Sequence, residues 1–240
     1  MRKIKIKNFS QEALGIYDKF KVQVGSDSIA KPVSIQVMFD FCRQNNPSRI
    51  LEMGGGIGTL SYALLKHSQA AVDIYEPDDF CLQKLKENLA TFEGRYRLIE
   101  DYRILPPQRE YDLVVVDGGN PSKERPRGEK YGYFEAVWFF LLYLKSVKHV
   151  YVEGHRHLQR LLARKALRVN YLYKSISYDD IIIGGEQLNG GLMIVCRPSS
   201  SRLLKFLNFL FWEIVGWTTV KNFFYYKLKR IKKLFINKKR

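Results

Sequence analysis

The segment Ile50-Leu51-Glu52-Met53-Gly54-Gly55-Gly56-Ile57-Gly58-Thr59 constrains what this 240-residue chain can fold into more than any other. An apolar run closes on an acid, four glycines fall within five positions, and Leu60–Lys66 then reads as a helix. A strand that turns sharply into a helix, with its backbone NH groups presented to a ligand, needs residues without a Cβ at the bend.

The rest of the body repeats that alternation. Ile29–Arg43 has helical apolar spacing, and Asn45-Asn46-Pro47 breaks it ahead of a first strand, Arg49–Met53. Helical Ile57–His67 leads to strand Ala71–Tyr75, and Pro77 opens a helix over Asp78–Phe92. Strand Tyr96–Ile99 ends at Glu100-Asp101. The fully apolar strand Tyr111–Val116 ends at Asp117 and suits burial on both faces. Helix Tyr133–Lys145, strand Val147–Val152 ending at Glu153, and helix His157–Val169 follow, then strands near Tyr171–Tyr178 and Leu192–Arg197 with Gly184-Gly185 and Gly190-Gly191 as turns. Strand–helix alternation of this kind predicts an α/β fold, a doubly wound Rossmann-like sheet with helices on both faces and ligand at the carboxyl ends of its strands. Three regions are expected: a basic lead-in over residues 1–28, a ligand-binding domain over 29–198, and a basic amphipathic tail over 199–240, after the linker Pro198-Ser199-Ser200-Ser201.

Charge is uneven. The formal net charge is +16, yet residues 202–240 hold eleven Lys and Arg against Glu213 alone, so most of the excess belongs to the tail. Three separated cysteines, Cys42, Cys81 and Cys196, suggest neither a disulfide framework nor a zinc site. The basic start Met1–Asn8 lacks the apolar run of a secretion signal, which makes a cytoplasmic protein the expectation.

Glu52, Glu76, Asp101 and Asp117 each follow an apolar strand and are expected on one rim of a parallel sheet. Glu76 comes about 20 residues after the glycine bend, where a carboxylate can accept both hydroxyls of an adenosine ribose. Gly54, Gly56 and Gly58 are spaced two apart, unlike the first, third and sixth glycines of a pyrophosphate-binding turn.

Taken together, Glu52-Met53-Gly54-Gly55-Gly56-Ile57-Gly58, Glu76, Asp101 and Asp117 resemble the motifs of class I S-adenosylmethionine-dependent methyltransferases, over about Ile29 to Arg197. The short helix before strand one and the Tyr111–Asp117 strand look most like the small-molecule O-methyltransferase branch. The resemblance implies S-adenosyl-L-methionine as cofactor. It gives Glu52, Gly54, Gly56 and Gly58 to the glycine motif, Glu76 to the ribose, Asp101 (with Glu100 beside it) to the adenine amine, and Asp117 to the methyl donor. It further implies transfer to a small-molecule or lipid-linked acceptor, with oxygen the expected atom.

Chemistry at the acceptor is expected from Asp117, Glu153 and His155. In the metal-dependent branch acids after strands four and five hold a divalent cation, and oxygen ligands suit Mg²⁺. Asp117 and Glu153 stand at those places. Gly154 replaces that branch's amide ligand and Asn120 replaces a lysine, so no metal ligand is assigned. His155, with His157 beside it, offers a metal-free general base. Tyr131 and Tyr133 are candidates for the acceptor pocket, and the charged stretch Ser122–Lys130 for a lid.

In the tail, Leu203–Val220 wound at 100° per residue gathers Lys205, Asn208, Glu213, Gly216 and Thr219 on one side. Phe224, Leu228, Ile231 and Phe235 form a second stripe among lysines. Such segments fit an anionic membrane surface over 203–236 and a peripheral place at the inner membrane face. Packing on the body, a homodimer contact and RNA binding are the alternatives, nucleic acid being the least expected. Two further functional readings stay open: an aminopropyltransferase resembling spermidine synthase, and a non-enzymatic membrane scaffold with a degenerate cofactor fold. The first loses its loop aspartate to Ile57 and the acid before Pro121 to Asn120.

Overall fold

A computed structural model describes residues 2–6, 9–102, 110–118, 133–144, 146–154, 156–179, 181–183, 186–188 and 190–215. Five strands form its parallel centre: β2 (Arg49–Met53), β3 (Ala71–Tyr75), β4 (Tyr96–Ile99), β5 (Glu110–Val116) and β6 (Ser146–Val152). An outer group comprises β7 (Tyr171–Tyr178) and β10 (Leu192–Pro198), with a short first strand β1 (Arg2–Ile4) and a small hairpin of β8 (Ile181–Ile183) and β9 (Glu186–Leu188). The main sheet runs β1-β7-β10-β6-β5-β2-β3-β4, with β10 antiparallel to both neighbours and every other pairing parallel.

Alternation along the strands splits the core in two. Ile50, Val72, Ile74, Leu113 and Val115 face α1 (Gln11–Lys21), α2 (Pro32–Asn45), α3 (Thr59–His67) and α4 (Asp79–Asn88). Leu51, Met53, Val114, Val116 and Val150 face α5 (Tyr133–Tyr143), α6 (His157–Leu167) and α7 (Arg202–Val215). A period of two inside a run of β-branched residues is what a strand covered on both faces requires.

Helix α1 is absent from the sequence reading, which takes residues 1–28 as a basic lead-in. Ser10 caps it by accepting the Ala13 N–H at 3.1 Å, and Ala13, Ile16 and Phe20 are buried against α2 and α3. Gly15, Asp18 and Lys19 between those three positions break up the apolar signal. Tertiary burial decides the segment.

Strand ends are in register across the sheet. Met53 pairs with Tyr75 on one side and Val116 on the other, Tyr75 with Ile99, and Val116 with Val152. The next residue is an acid on four of the five strands, namely Glu100, Glu76, Asp117 and Glu153, and Gly54 at the centre. Since β3 lies on one side of β2 and β5 on the other, the chain reverses its order at β2/β5, the position where doubly wound sheets leave a crevice at their carboxyl ends.

Candidate active site at the carboxyl ends of the strands

Two glycines in the bend after β2 are favoured for different reasons. A Cβ on Gly54, whose φ is +95°, would stand 2.3 Å from the Gly118 backbone. That close approach follows from Met53, whose carbonyl accepts both the Asp117 and the Gly118 N–H, at 2.9 and 2.8 Å. Gly56 has φ +53° and open space beyond it, with no heavy atom within 4 Å of an added Cβ. The first position is closed by its neighbour strand. The second faces the crevice.

Glu76 ties the bend to β3. Its Oε2 accepts the Gly56 N–H at 2.8 Å, its Oε1 accepts the Asp78 N–H at 3.0 Å, and the side chain is buried. Its carboxylate thus meets the middle of the glycine run, as the 20-residue spacing predicts.

Glu52 is fully buried on the face of α3, where Ser61 donates a hydrogen bond to Oε2. Its Oε1 is buried without a hydrogen-bond partner among the described residues. Burial pushes this carboxyl well above its usual range, the Ser61 bond opposes the rise, and the Asp117 and Glu76 charges add to it. An unpartnered carboxyl oxygen here has the chemistry to take a cationic donor group, and the ammonium of an amino-acid moiety is one.

Across the crevice, Asp117, Glu153 and Arg156 form a charged cluster. Arg156 Nη2 donates to Asp117 Oδ1 at 3.1 Å, and Arg156 Nε lies 3.6 Å from Glu153 Oε2. Glu153 Oε1 accepts from Ser34 Oγ at 3.1 Å, and that hydroxyl lies 3.0 Å from the Tyr151 hydroxyl. Burial pushes the Asp117 carboxyl up, neighbouring Glu153 and Glu76 add to the rise, and Arg156 holds it back, leaving it at about 7. Gln159 Nε2 donates to the Gly118 carbonyl at 3.3 Å, and Arg160 donates to the carbonyls of Gly154 and Gly190, fixing the loop between β6 and α6.

The described residues at this end do not fit a divalent cation. Asp117 and Glu153, which stand where the metal-dependent branch has its acidic ligands, share the Arg156 guanidinium, and Gly154, next after Glu153, offers no side-chain oxygen. No group of three or more His, Cys, Asp or Glu suited to a metal occurs among the described residues.

Sequence reasoning misses Arg156, Ser34 and Ser61. The three-residue spacing from Glu153 to Arg156 was the available signal for the first. Ser34 and Ser61 reach the site only through the packing of α2 and α3. Asp101 follows the end of β4 and is part-buried beside Tyr102, whose ring packs against Tyr75. His155, Tyr131, the stretch 122–130, Gly184-Gly185 and residues 216–240 lie outside the described residues, as does the side chain of Tyr133.

No protein-family model and no curated protein matches the sequence, whereas many solved structures match its fold. A precorrin-6y C5,15-methyltransferase from Geobacter metallireducens superposes with a TM-score of 0.54 at 18% identity, over 76% of this chain and 95% of that one. This chain has a class I methyltransferase fold. The SAH-bound methyltransferase PaMTH1 of Podospora anserina gives 0.52 at 14% identity, over 78% and 88% of the two chains. The O-methyltransferase TomG of Streptomyces achromogenes, in complex with SAM, gives 0.52 at 14% identity over 77% and 87%.

Proposed function

We propose that this protein is an S-adenosylmethionine-dependent methyltransferase acting on an oxygen of a small-molecule or lipid-linked acceptor. The observation that carries the reading is the group of acids around Gly54: Glu76 and Asp117 flank it in register after β3 and β5, and Glu52, one residue back from the end of β2, is buried with one carboxyl oxygen unpartnered among the described residues. Resemblance in fold to SAH- and SAM-bound methyltransferases supports the same cofactor.

When bound, S-adenosylmethionine supplies an electrophilic methyl group and a positive charge. Glu76 would accept the ribose hydroxyls, and Glu52 would receive the ammonium through its unpartnered oxygen. Methyl transfer is an in-line displacement, so the protein's work is to align the acceptor and take its proton. Asp117, held near 7 beside Gly118, is suited to accept that proton at neutral pH. Arg156 would then retain the resulting charge balance between Asp117 and Glu153. His155 is the alternative base.

The test is incubation of the purified protein with methyl-labelled S-adenosylmethionine and a fractionated small-molecule and lipid extract, reading labelled products by mass spectrometry. Label in an O-methyl product, lost with Asp117→Asn, supports the reading. Label on nitrogen or carbon, or turnover of putrescine with the decarboxylated cofactor, would replace it.

A further inference from the structure

Helix α7 turns its more polar side to the body and its apolar side to solvent. Asn208 accepts the Tyr173 N–H through Oδ1 at 2.9 Å and donates to the Tyr173 carbonyl through Nδ2 at 3.0 Å. One side-chain amide thus pairs with both backbone groups of a β7 residue that β1, paired only from Ile176 onward, leaves open. Lys205 Nζ donates to the Val169 carbonyl at 2.5 Å, and Phe209 is buried with the Arg168 guanidinium 4.6 Å from its ring. These contacts fix the helix about its own axis.

The opposite side carries Leu203, Leu204, Phe206, Leu207, Leu210 and Phe211, between 38% and 67% exposed. At 100° per residue these six fall within an arc of roughly 160°. A helix on the surface of a soluble protein ordinarily does the reverse, and a contiguous apolar face of this size marks a contact site.

Charge identifies the occupant. Arg168, whose guanidinium lies over the Phe209 ring, and Arg202, the first residue of α7, are both exposed. The sequence from 202 onward adds a large excess of Lys and Arg over its single acid, Glu213. A two-fold contact with a second copy would set each of these cations near its own image. A nucleic acid would satisfy the cations and leave the Leu and Phe face without a counterpart. An anionic bilayer offers negative headgroups and an apolar layer beneath them at once. Fourteen residues make a helix about 21 Å long, and among the described residues no helix is long and apolar enough to cross a membrane.

We propose that the outer face of α7 seats in the interfacial layer of an anionic lipid bilayer, with the helix lying in the plane of the surface. The full-length chain is floated with phosphatidylcholine vesicles, with vesicles also containing phosphatidylglycerol, and with each again after the double substitution Leu207→Glu and Phe211→Glu. Both positions are exposed, so the variant keeps the wild-type affinity for S-adenosylhomocysteine, or the wild-type melting temperature should that ligand not bind either protein. Wild type floats with the anionic vesicles, and the variant loses at least about tenfold of that binding. Undiminished flotation of the variant, or no flotation of the wild type, overturns the proposal. A monomer–dimer equilibrium abolished by the same substitutions, without flotation, assigns the face to a second copy instead.

Discussion

Arg156, the residue just before α6, donates to Asp117, the residue just after β5, at 3.1 Å. The same guanidinium reaches toward Glu153, so an organic cation stands between the two acids that hold a divalent ion in the metal-dependent branch. Chelation with EDTA is therefore expected to leave methyl transfer unchanged, and Mg²⁺ titrated into the wild-type protein to give no heat. A rate that collapses on chelation and returns with Mg²⁺ would show that Arg156 swings away in the working enzyme.

Removing that cation isolates two carboxylates. Arg156→Met is expected to cost about 1–3 kcal/mol of stability, because charge-assisted bonds to partly buried acids are lost. It should also raise the Asp117 carboxyl further, since Arg156 is what opposes the rise. The acceptor-methylation profile against pH would shift upward, whereas a merely structural Arg156 would lower stability without moving the profile.

In the wild type, kcat/KM for the acceptor should rise as pH passes through about 7, the range in which Asp117 loses its proton. Asp117→Asn removes the limb. The stability consequence has a definite sign: an Asp raised from 3.8 to about 7 in the fold binds its proton more tightly folded than unfolded. Its ionisation accordingly destabilises the fold increasingly from about pH 4 to 7, and by a constant amount above. Asp117→Asn should gain roughly 1–4 kcal/mol over wild type near pH 8 and little near pH 4. Equal gains at both pH values would remove Asp117 as the titrating group.

Glu52 makes a separate prediction. Burial raises the Glu52 carboxyl well above its usual range and so favours its protonated form, and a cationic ligand beside it favours release of the proton. Calorimetry with S-adenosylhomocysteine in buffers of different ionisation heat should find up to about one proton released per site near neutral pH. Glu52→Gln should abolish the release. Binding without proton exchange in the wild type would place the ammonium elsewhere.

Gly54→Ala adds a methyl 2.3 Å from the Gly118 backbone at a φ of +95°. Backbone on both sides leaves no flexible atom to move, so strain and overpacking together should cost about 2–5 kcal/mol. Gly56→Ala, with open space beyond it, carries the conformational cost alone, roughly 1–3 kcal/mol. Similar losses at the two positions would mean that the β2/β5 approach is looser than described.

Central strands are legible because each is a short apolar run ending in an acid or a glycine. Arg49–Met53, Ala71–Tyr75 and Tyr96–Ile99 are found at the bounds their residues predict. Glu76 at the glycine bend is legible too, since a fixed spacing carries it. Hidden from the sequence are contacts made by packing rather than pattern. Ser61 meets Glu52 because α3 folds back over β2, Ser34 meets Glu153 because α2 crosses the end of β6, and α1 exists because Phe20 finds a buried place. Amphipathicity of the segment after Arg202 is readable. Which side faces the body is not, because Asn208 earns the inward position by bonding the open edge of β7.

The most direct measurement is isothermal calorimetry of S-adenosylhomocysteine with the wild-type protein and with Glu76→Gln. Saturable one-to-one binding is expected, weakened about 10- to 100-fold by the substitution, since charge-assisted bonds to a ribose diol are worth roughly 1.5–3 kcal/mol. No heat with the wild type, or equal affinity for both proteins, would contradict the adenosyl site at the carboxyl ends of β2 and β3.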